Sequence, residues 1–240
     1  MASVFKASQL VGFTRLIYSI TSAGNVTSLL YAALGKDFHE KNKKLLGTPF
    51  AQFLKLTSEV RTLFKVGEKQ HIAARFMGGV LWSYGNQTIA PYSEQFYIGG
   101  ANSLRAFTVR SIGPGTYNPG QNTKYGYLDQ TGDIKLEANV EYRFPIFGEL
   151  YGATFLDAGN VWLMRKDESR PGGELTLKNF AKSIALNTGV GVRYDLTFLV
   201  IRLDMGIALH VPYETGKSGY YNIPKFKDGL GLHFAIGYPF

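Results

Sequence analysis

Residues 133–144 alternate without a break. Ile134, Leu136, Ala138, Val140, Tyr142 and Phe144 are apolar, and Asp133, Lys135, Glu137, Asn139, Glu141 and Arg143 between them are charged or polar. A two-residue period puts the two sets on opposite faces of a strand. The same alternation predicts strands elsewhere. Leu54, Leu56, Val60 and Phe64 oppose Lys55, Thr57, Glu59 and Arg61, and after a turn at 66–69 Ile72, Ala74, Phe76 and Val80 oppose His71, Arg75 and Met77. These two runs form a hairpin. Further strands follow at 150–162, 186–196, 199–210 and 230–240, and a weaker one covers 12–20. Residues 26–34 contain Leu29-Leu30 and Ala32-Ala33, which favour helix. Their place between strands favours a strand, and that reading is adopted.

The result is about nine strands in an all-β chain, with short turns alternating with long loops. The short turns fall near 67, 147 and 196, and the long loops at 84–131, 163–183 and 211–228. Short turns on one side and long loops on the other are the asymmetry of a transmembrane antiparallel β-barrel in an outer membrane. A fully charged face opposite a fully apolar one fits a barrel with a polar lumen and a lipid-facing exterior. It is less typical of a soluble sheet.

The longest loop is too long for an ordinary connection. It contains Gly99-Gly100-Ala101-Asn102-Ser103-Leu104-Arg105-Ala106-Phe107, whose single cation is flanked by apolar residues. Such a segment is suited to fold back and dock. Glu141 and Asp157 lie on the polar faces of later strands. A guanidinium accepts two carboxylates through its forked donors. The loop is therefore expected to enter the lumen and pin Arg105 between Glu141 and Asp157. The alternative is a solvated loop tip.

Composition refines this picture. The 240 residues carry a formal net charge of +8, with 28 Gly, 15 Tyr, 17 Phe and no Cys. Tyr and Phe suit strands and membrane-interface girdles. Mean hydropathy is −0.06, and no run approaches the ~18 apolar residues of a membrane helix. A barrel that alternates faces stays near neutral hydropathy, so this does not exclude a membrane protein. Residues 1–6 lack the pattern of a signal peptide, so the chain is expected to be a mature or truncated piece. The basic run 36–44 is interrupted by Asp37 and Glu40. It reads as a solvated loop, or as a contact to anionic lipid headgroups. No basic helix face points to nucleic acid. His39, His71, His210 and His233 lack metal-ligand spacing. The Gly-x-Gly pairs at 113–115 and 189–191 lack the strand-glycine-helix context of nucleotide loops. With no nucleophile elbow and no acid pair in a cleft, the chain is expected to be neither an enzyme nor a cofactor or metal binder.

Several segments in order resemble the BamA/TamA outer-membrane insertase family, also called the bacterial surface antigen family. The run from Phe96 to Phe107, with Gly99-Gly100 and Leu104-Arg105-Ala106-Phe107, resembles the family's loop motif. Residues 132–147 resemble the strand after that loop. Phe155-Leu156-Asp157-Ala158-Gly159-Asn160-Val161-Trp162 resembles the following strand. A last strand with Gly231, Phe234, Ile236, Tyr238 and Phe240 resembles the outer-membrane insertion signal and one side of a lateral seam. The likeness covers residues 50–240. The chain departs from the motif at Ala106, where the family has Gly. It also has no POTRA domains and about half the ~16 strands of a family barrel. The resemblance implies residues 1–240 are the C-terminal half of a larger barrel in a bacterial outer membrane, with Arg105 as an ion-paired strut. It implies a role in assembly or translocation. The implied partners are outer-membrane lipids and lipopolysaccharide, unfolded β-barrel clients and periplasmic or lipoprotein components. A passive pore or a soluble β-sandwich binding module are the competing readings.

Overall fold

A computed structural model describes residues 12–41, 43–118, 120 and 130–240. The expectation for residues 1–6 lies outside them. In chain order the elements are β1 (Gly12–Ala23), α1 (Asn25–Ala33), β2 (Lys44–Leu45), β3 (Thr48–Pro49), β4 (Phe53–Lys65) and β5 (His71–Ser83). There follow β6 (Ile134–Phe147), β7 (Leu150–Trp162), β8 (Ala185–Asp195), β9 (Val200–His210) and β10 (Leu230–Ile236). Strands β2 and β3 pair only with each other. The other eight form one antiparallel sheet in the order β1-β4-β5-β6-β7-β8-β9-β10. β1 and β10 are its edges and do not pair with each other, so the sheet is an open half-barrel. The strands β4 to β7 are 13 or 14 residues long, more than the ~9–11 a membrane strand needs.

Burial along the sheet is the reverse of a soluble protein's. On β6 the polar set Glu137, Asn139, Glu141 and Arg143 is buried, while Val140 in the apolar set is 45% exposed. Leu56, Phe76, Leu156, Val190 and Met205 are likewise exposed. In water such a face forfeits ~25 cal/mol per Å² of apolar area. Against hydrocarbon it costs nothing. The charged inner face, in turn, needs partners. Neighbouring strands and the loop between β5 and β6 supply them.

The apolar core lies inside the half-barrel, toward the loop side. Strand ends contribute Phe53, Leu81, Val161, Ala185 and Ala208, and the loop contributes Ile98, Leu104, Phe107 and Ile112. Small residues make room for rings on the inner face. A Cβ at Gly79 would lie 2.5 Å from Phe96, and one at Gly189 2.3 Å from Phe155.

Three sequence expectations change. Residues 26–34 form α1, so the sheet has eight strands rather than nine. With no neighbouring strand to pair with, the local preference of Leu29-Leu30 and Ala32-Ala33 prevails. Gly24, at φ 71°, turns the chain out of β1, and its carbonyl accepts the Ser28 N–H at 2.9 Å. Second, β6 runs past the alternation that ends at Phe144: Pro145 lies inside it, where a register shift between Pro145 and Phe147 accommodates it. Third, β10 ends at Ile236. Gly237, at φ 84°, turns the chain inward. Gly231, Phe234 and Ile236 are therefore strand residues, but Tyr238 and Phe240 are not. Their rings meet arginines instead. The Arg143 guanidinium lies 4.1 Å from the Tyr238 centroid, and the Arg75 guanidinium 5.3 Å from that of Phe240.

Candidate functional site

The loop motif folds as two consecutive turns. Ser103 N–H donates to the Gly100 carbonyl at 3.0 Å, and Phe107 N–H to the Leu104 carbonyl at 3.1 Å. Gly100 N–H then reaches the Phe107 carbonyl at 2.7 Å and closes the two turns together. Gly99 and Gly100 have φ of 95° and 92°, a region open to glycine at little cost. A Cβ on Gly99 would also lie 2.1 Å from the Thr108 carbonyl oxygen. Ala106 is not among the residues with positive φ, so its methyl group is tolerated where the family has Gly.

This fold aims Arg105 into the inner face of the sheet. Leu104 and Phe107 are buried on either side of it in the core. Arg105, Glu141 and Asp157 are each 0% exposed. Arg105 Nε donates to Asp157 Oδ2 at 3.0 Å and Nη2 to Oδ1 at 2.9 Å, the bidentate fork, and its backbone N–H reaches Oδ2 at 3.2 Å. Arg105 Nη1 donates to Glu141 Oε2. The guanidinium carbon also lies over the Phe155 ring, 3.5 Å from its centroid. Phe155 is an apolar exception on the polar face of β7, and here it provides a cation–π platform. The structure thus brings Arg105, Glu141 and Asp157 into contact.

Other residues complete the network. Asn139 and Asn187 each donate a side-chain N–H to Asp157 at 2.9 Å. Glu141 also pairs with Arg143 at 2.7 Å and Arg193 at 2.9 Å. Arg193 and Arg202 both ion-pair with Asp204, at 2.6 and 2.7 Å. Glu137 pairs with Arg75 and accepts from Ser103 Oγ at 2.8 Å. Backbone carbonyls of the motif are held as well. Arg75 donates to the Asn102 carbonyl at 2.8 Å, Arg202 to that of Ala101 at 2.9 Å, and Asn139 to that of Ser103 at 3.1 Å. Close approach on the far side depends on two paired glycines. A Cβ on Gly206 or Gly231 would lie 2.3 or 2.7 Å from the Arg105 carbonyl oxygen. Sequence reasoning assigned no role to Arg75, Arg193, Arg202 or Asp204. Their shared inward parity was the available signal.

Among the described residues no group of three or more His, Asp or Glu is arranged to hold a metal ion. His210 stacks on Tyr220 with centroids 4.4 Å apart, and its ring nitrogens face the carbonyls of Tyr220 and Lys182. It is a structural residue of the loop side.

Residues 39–240 match the Omp85 superfamily domain. The chain belongs to the Omp85 superfamily. Among its relatives, the outer membrane protein assembly factor BamA of Neisseria meningitidis serogroup B is 33% identical over 90 residues, covering 35% of this chain and 11% of that protein. The human sorting and assembly machinery component 50 homolog is 29% identical over 150 residues, covering 60% and 30%. The chain therefore spans less than a third of either relative. The crystal structure of BamA from Haemophilus ducreyi lacking POTRA domains 1–3 superposes with a TM-score of 0.53 at 16% identity, over 77% of this chain and 35% of that one. This likeness supports the fold: an antiparallel sheet corresponding to part of a barrel.

Proposed function

We propose that this Omp85 chain forms part of the barrel of an outer-membrane assembly factor, which helps unfolded β-barrel proteins enter and fold in the membrane. The observation that carries this reading is the docked loop. Arg105 fixes it to β6 and β7 through two buried carboxylates, so the lumen is braced from within. The relatives named for assembly support the same reading. The work is mechanical and electrostatic, without bond chemistry. The braced wall holds its shape while the apolar exterior perturbs the surrounding lipid. The edge strand β10, paired among the described residues with β9 alone, offers its outer edge as a template at a lateral seam. Unfolded outer-membrane proteins and lipid are the partners.

The test uses the whole parent protein in lipid vesicles with an unfolded barrel client. Client folding is followed by its heat-shifted gel mobility. Faster folding than in empty vesicles, slowed by Arg105→Ala, is expected. Folding at the empty-vesicle rate overturns the proposal. Steady ion conductance without any effect on clients favours a pore.

A further inference from the structure

Helix α1 carries its apolar side away from the protein. Its one buried side chain, Ser28, donates to Gln52 Oε1 at 3.0 Å. At 3.6 residues per turn, Val26 and Leu30 lie across the helix from Ser28, flanked by Leu29 and the C-cap residue Leu34. Leu29 and Leu30 are 60% and 62% exposed, and the other two more so. A helix facing water has the opposite arrangement.

The helix is strapped to the outer face of the sheet. Gln52 continues the outward set of Leu54 and Leu56, and its carbonyl accepts the Tyr84 N–H at 3.1 Å. This extends the Leu54–Trp82 pair by one outward step. Gln52 Nε2 donates to Asn25 Oδ1 at 3.2 Å, and the Tyr84 hydroxyl donates to the same oxygen at 2.8 Å. Asn25 Nδ2 donates to Ser22 Oγ at 2.6 Å. Below it, the Tyr84 and exposed Trp82 rings lie 5.1 Å apart. Such aromatic pairs suit the boundary between hydrocarbon and water. Beyond the helix, Lys36, Lys41 and Lys44 are exposed, with Asp37 and Glu40 between them.

We propose that α1 is an interfacial anchor on the loop-side rim of the barrel. It lies in the membrane plane, with Val26, Leu29, Leu30 and Leu34 at the headgroup–acyl boundary and Lys36, Lys41 and Lys44 on lipid phosphates. The apolar side of α1 is exposed, as is the apolar outer face of the sheet to which Gln52 and Tyr84 strap the helix, and the lysines complement anionic headgroups. Both points favour a lipid surface as the occupant. The inference rests on the reading that this outer face meets lipid.

These 240 residues contain no cysteine, so within them each reporter is unique, and any cysteine elsewhere in the whole protein is first replaced by serine. Leu30→Cys, Val140→Cys and Glu40→Cys in the whole protein are labelled with an environment-sensitive fluorophore. Each is measured in vesicles of phosphatidylcholine and phosphatidylglycerol carrying spin-labelled lipids. Quenching at position 30 by headgroup-proximal labels, at 140 by mid-chain labels, and at 40 by neither is the expected result. If 30 behaves like 40 while 140 is in lipid, the anchor fails and the membrane reading stands. If 140 is also in water, the membrane reading itself fails. Shielding of 30 in native membranes but not in purified vesicles would assign the face to a protein and overturn the proposal. Replacing Lys36, Lys41 and Lys44 with Gln is expected to weaken quenching at 30 in anionic vesicles. No change there would overturn the phosphate contact.

Discussion

Arg105→Ala is the sharpest test of the docked loop. Its cost is set by what the carboxylates keep. Glu141 retains Arg143 and Arg193. Among the described residues Asp157 has no other ion-pair partner within 4.0 Å, although Asn139 and Asn187 still donate to it. Breaking a buried pair costs ~3–5 kcal/mol, and those two amides place this case near the lower end. About 3 kcal/mol corresponds to roughly a hundredfold increase in the undocked loop population. Hydrogen exchange of peptides spanning 99–107, in the whole protein in lipid, reads this population directly. Exchange is expected to rise about a hundredfold, with flanking strand peptides unchanged. Arg105→Lys keeps the charge but loses the fork, so it is expected to fall between the two. Adding Asp157→Asn to Arg105→Ala removes the orphaned charge and is expected to recover about tenfold of the loss. A rise of less than about threefold in Arg105→Ala would refute the view that the fork holds the loop.

Four further outcomes follow from the geometry. Gly206→Ala would press a methyl group onto the Arg105 carbonyl; thermal unfolding should show a loss of ~1–3 kcal/mol, and an unchanged midpoint would contradict the close approach. Ala106→Gly should destabilise by ~1–2 kcal/mol, because the position is not left-handed, glycine adds chain entropy and a methyl group buried in the core is lost; stabilisation in the same assay would show hidden strain. Val140→Arg on the exposed face should cost ~2–4 kcal/mol in a bilayer, measured by denaturant unfolding in lipid, whereas a neutral outcome would fit a soluble sheet. Hydrogen bonds from Ser169 and Arg170 hold the Asp167 carboxyl below its usual range. The folded form therefore favours the ionised group. That support is complete above the ordinary carboxylate value of ~4 and is lost as pH falls below it. Protection of the amides in loop 163–183, corrected for intrinsic exchange, should fall slightly in acid, and Asp167→Asn should remove that part of the fall.

The sequence was most legible where one period dominates. The alternation of β6 marked its start and its two faces, because a two-residue period admits one arrangement, although the strand runs past the alternation to Phe147. It was least legible at ends and connections. Residues 26–34 have no intrinsic strand preference, and only their position suggested one. The break at Gly237 depends on a single left-handed residue within a continuing apolar pattern. At the site, residue type and parity sufficed to bring Arg105, Glu141 and Asp157 together. They did not suffice for Arg193, Arg202 and Asp204. Every strand presents several inward polar residues, and which of them share a depth is decided by register between strands. That register is set by turns and a bulge at Leu186/Asn187, not by any local pattern.

The division between apolar and charged contacts bears on how the lumen works. Above, Ile98, Leu104, Phe107 and Ile112 are packed against strand ends. These contacts are non-directional and supply stability in proportion to area. They would tolerate a loop shifted by one residue. Below, five arginines (Arg75, Arg105, Arg143, Arg193 and Arg202) are interleaved with Glu137, Glu141, Asp157 and Asp204. A buried ion network adds little net stability, since desolvation offsets most of the attraction. It does penalise every misplacement, because a shifted guanidinium strands a charge. The apolar layer therefore keeps the loop in, and the Arg105 fork sets its height against β6 and β7. Such a fixed height suits the proposed assembly role, in which a wall keeps its shape while its edge engages other strands, better than it suits a passive pore.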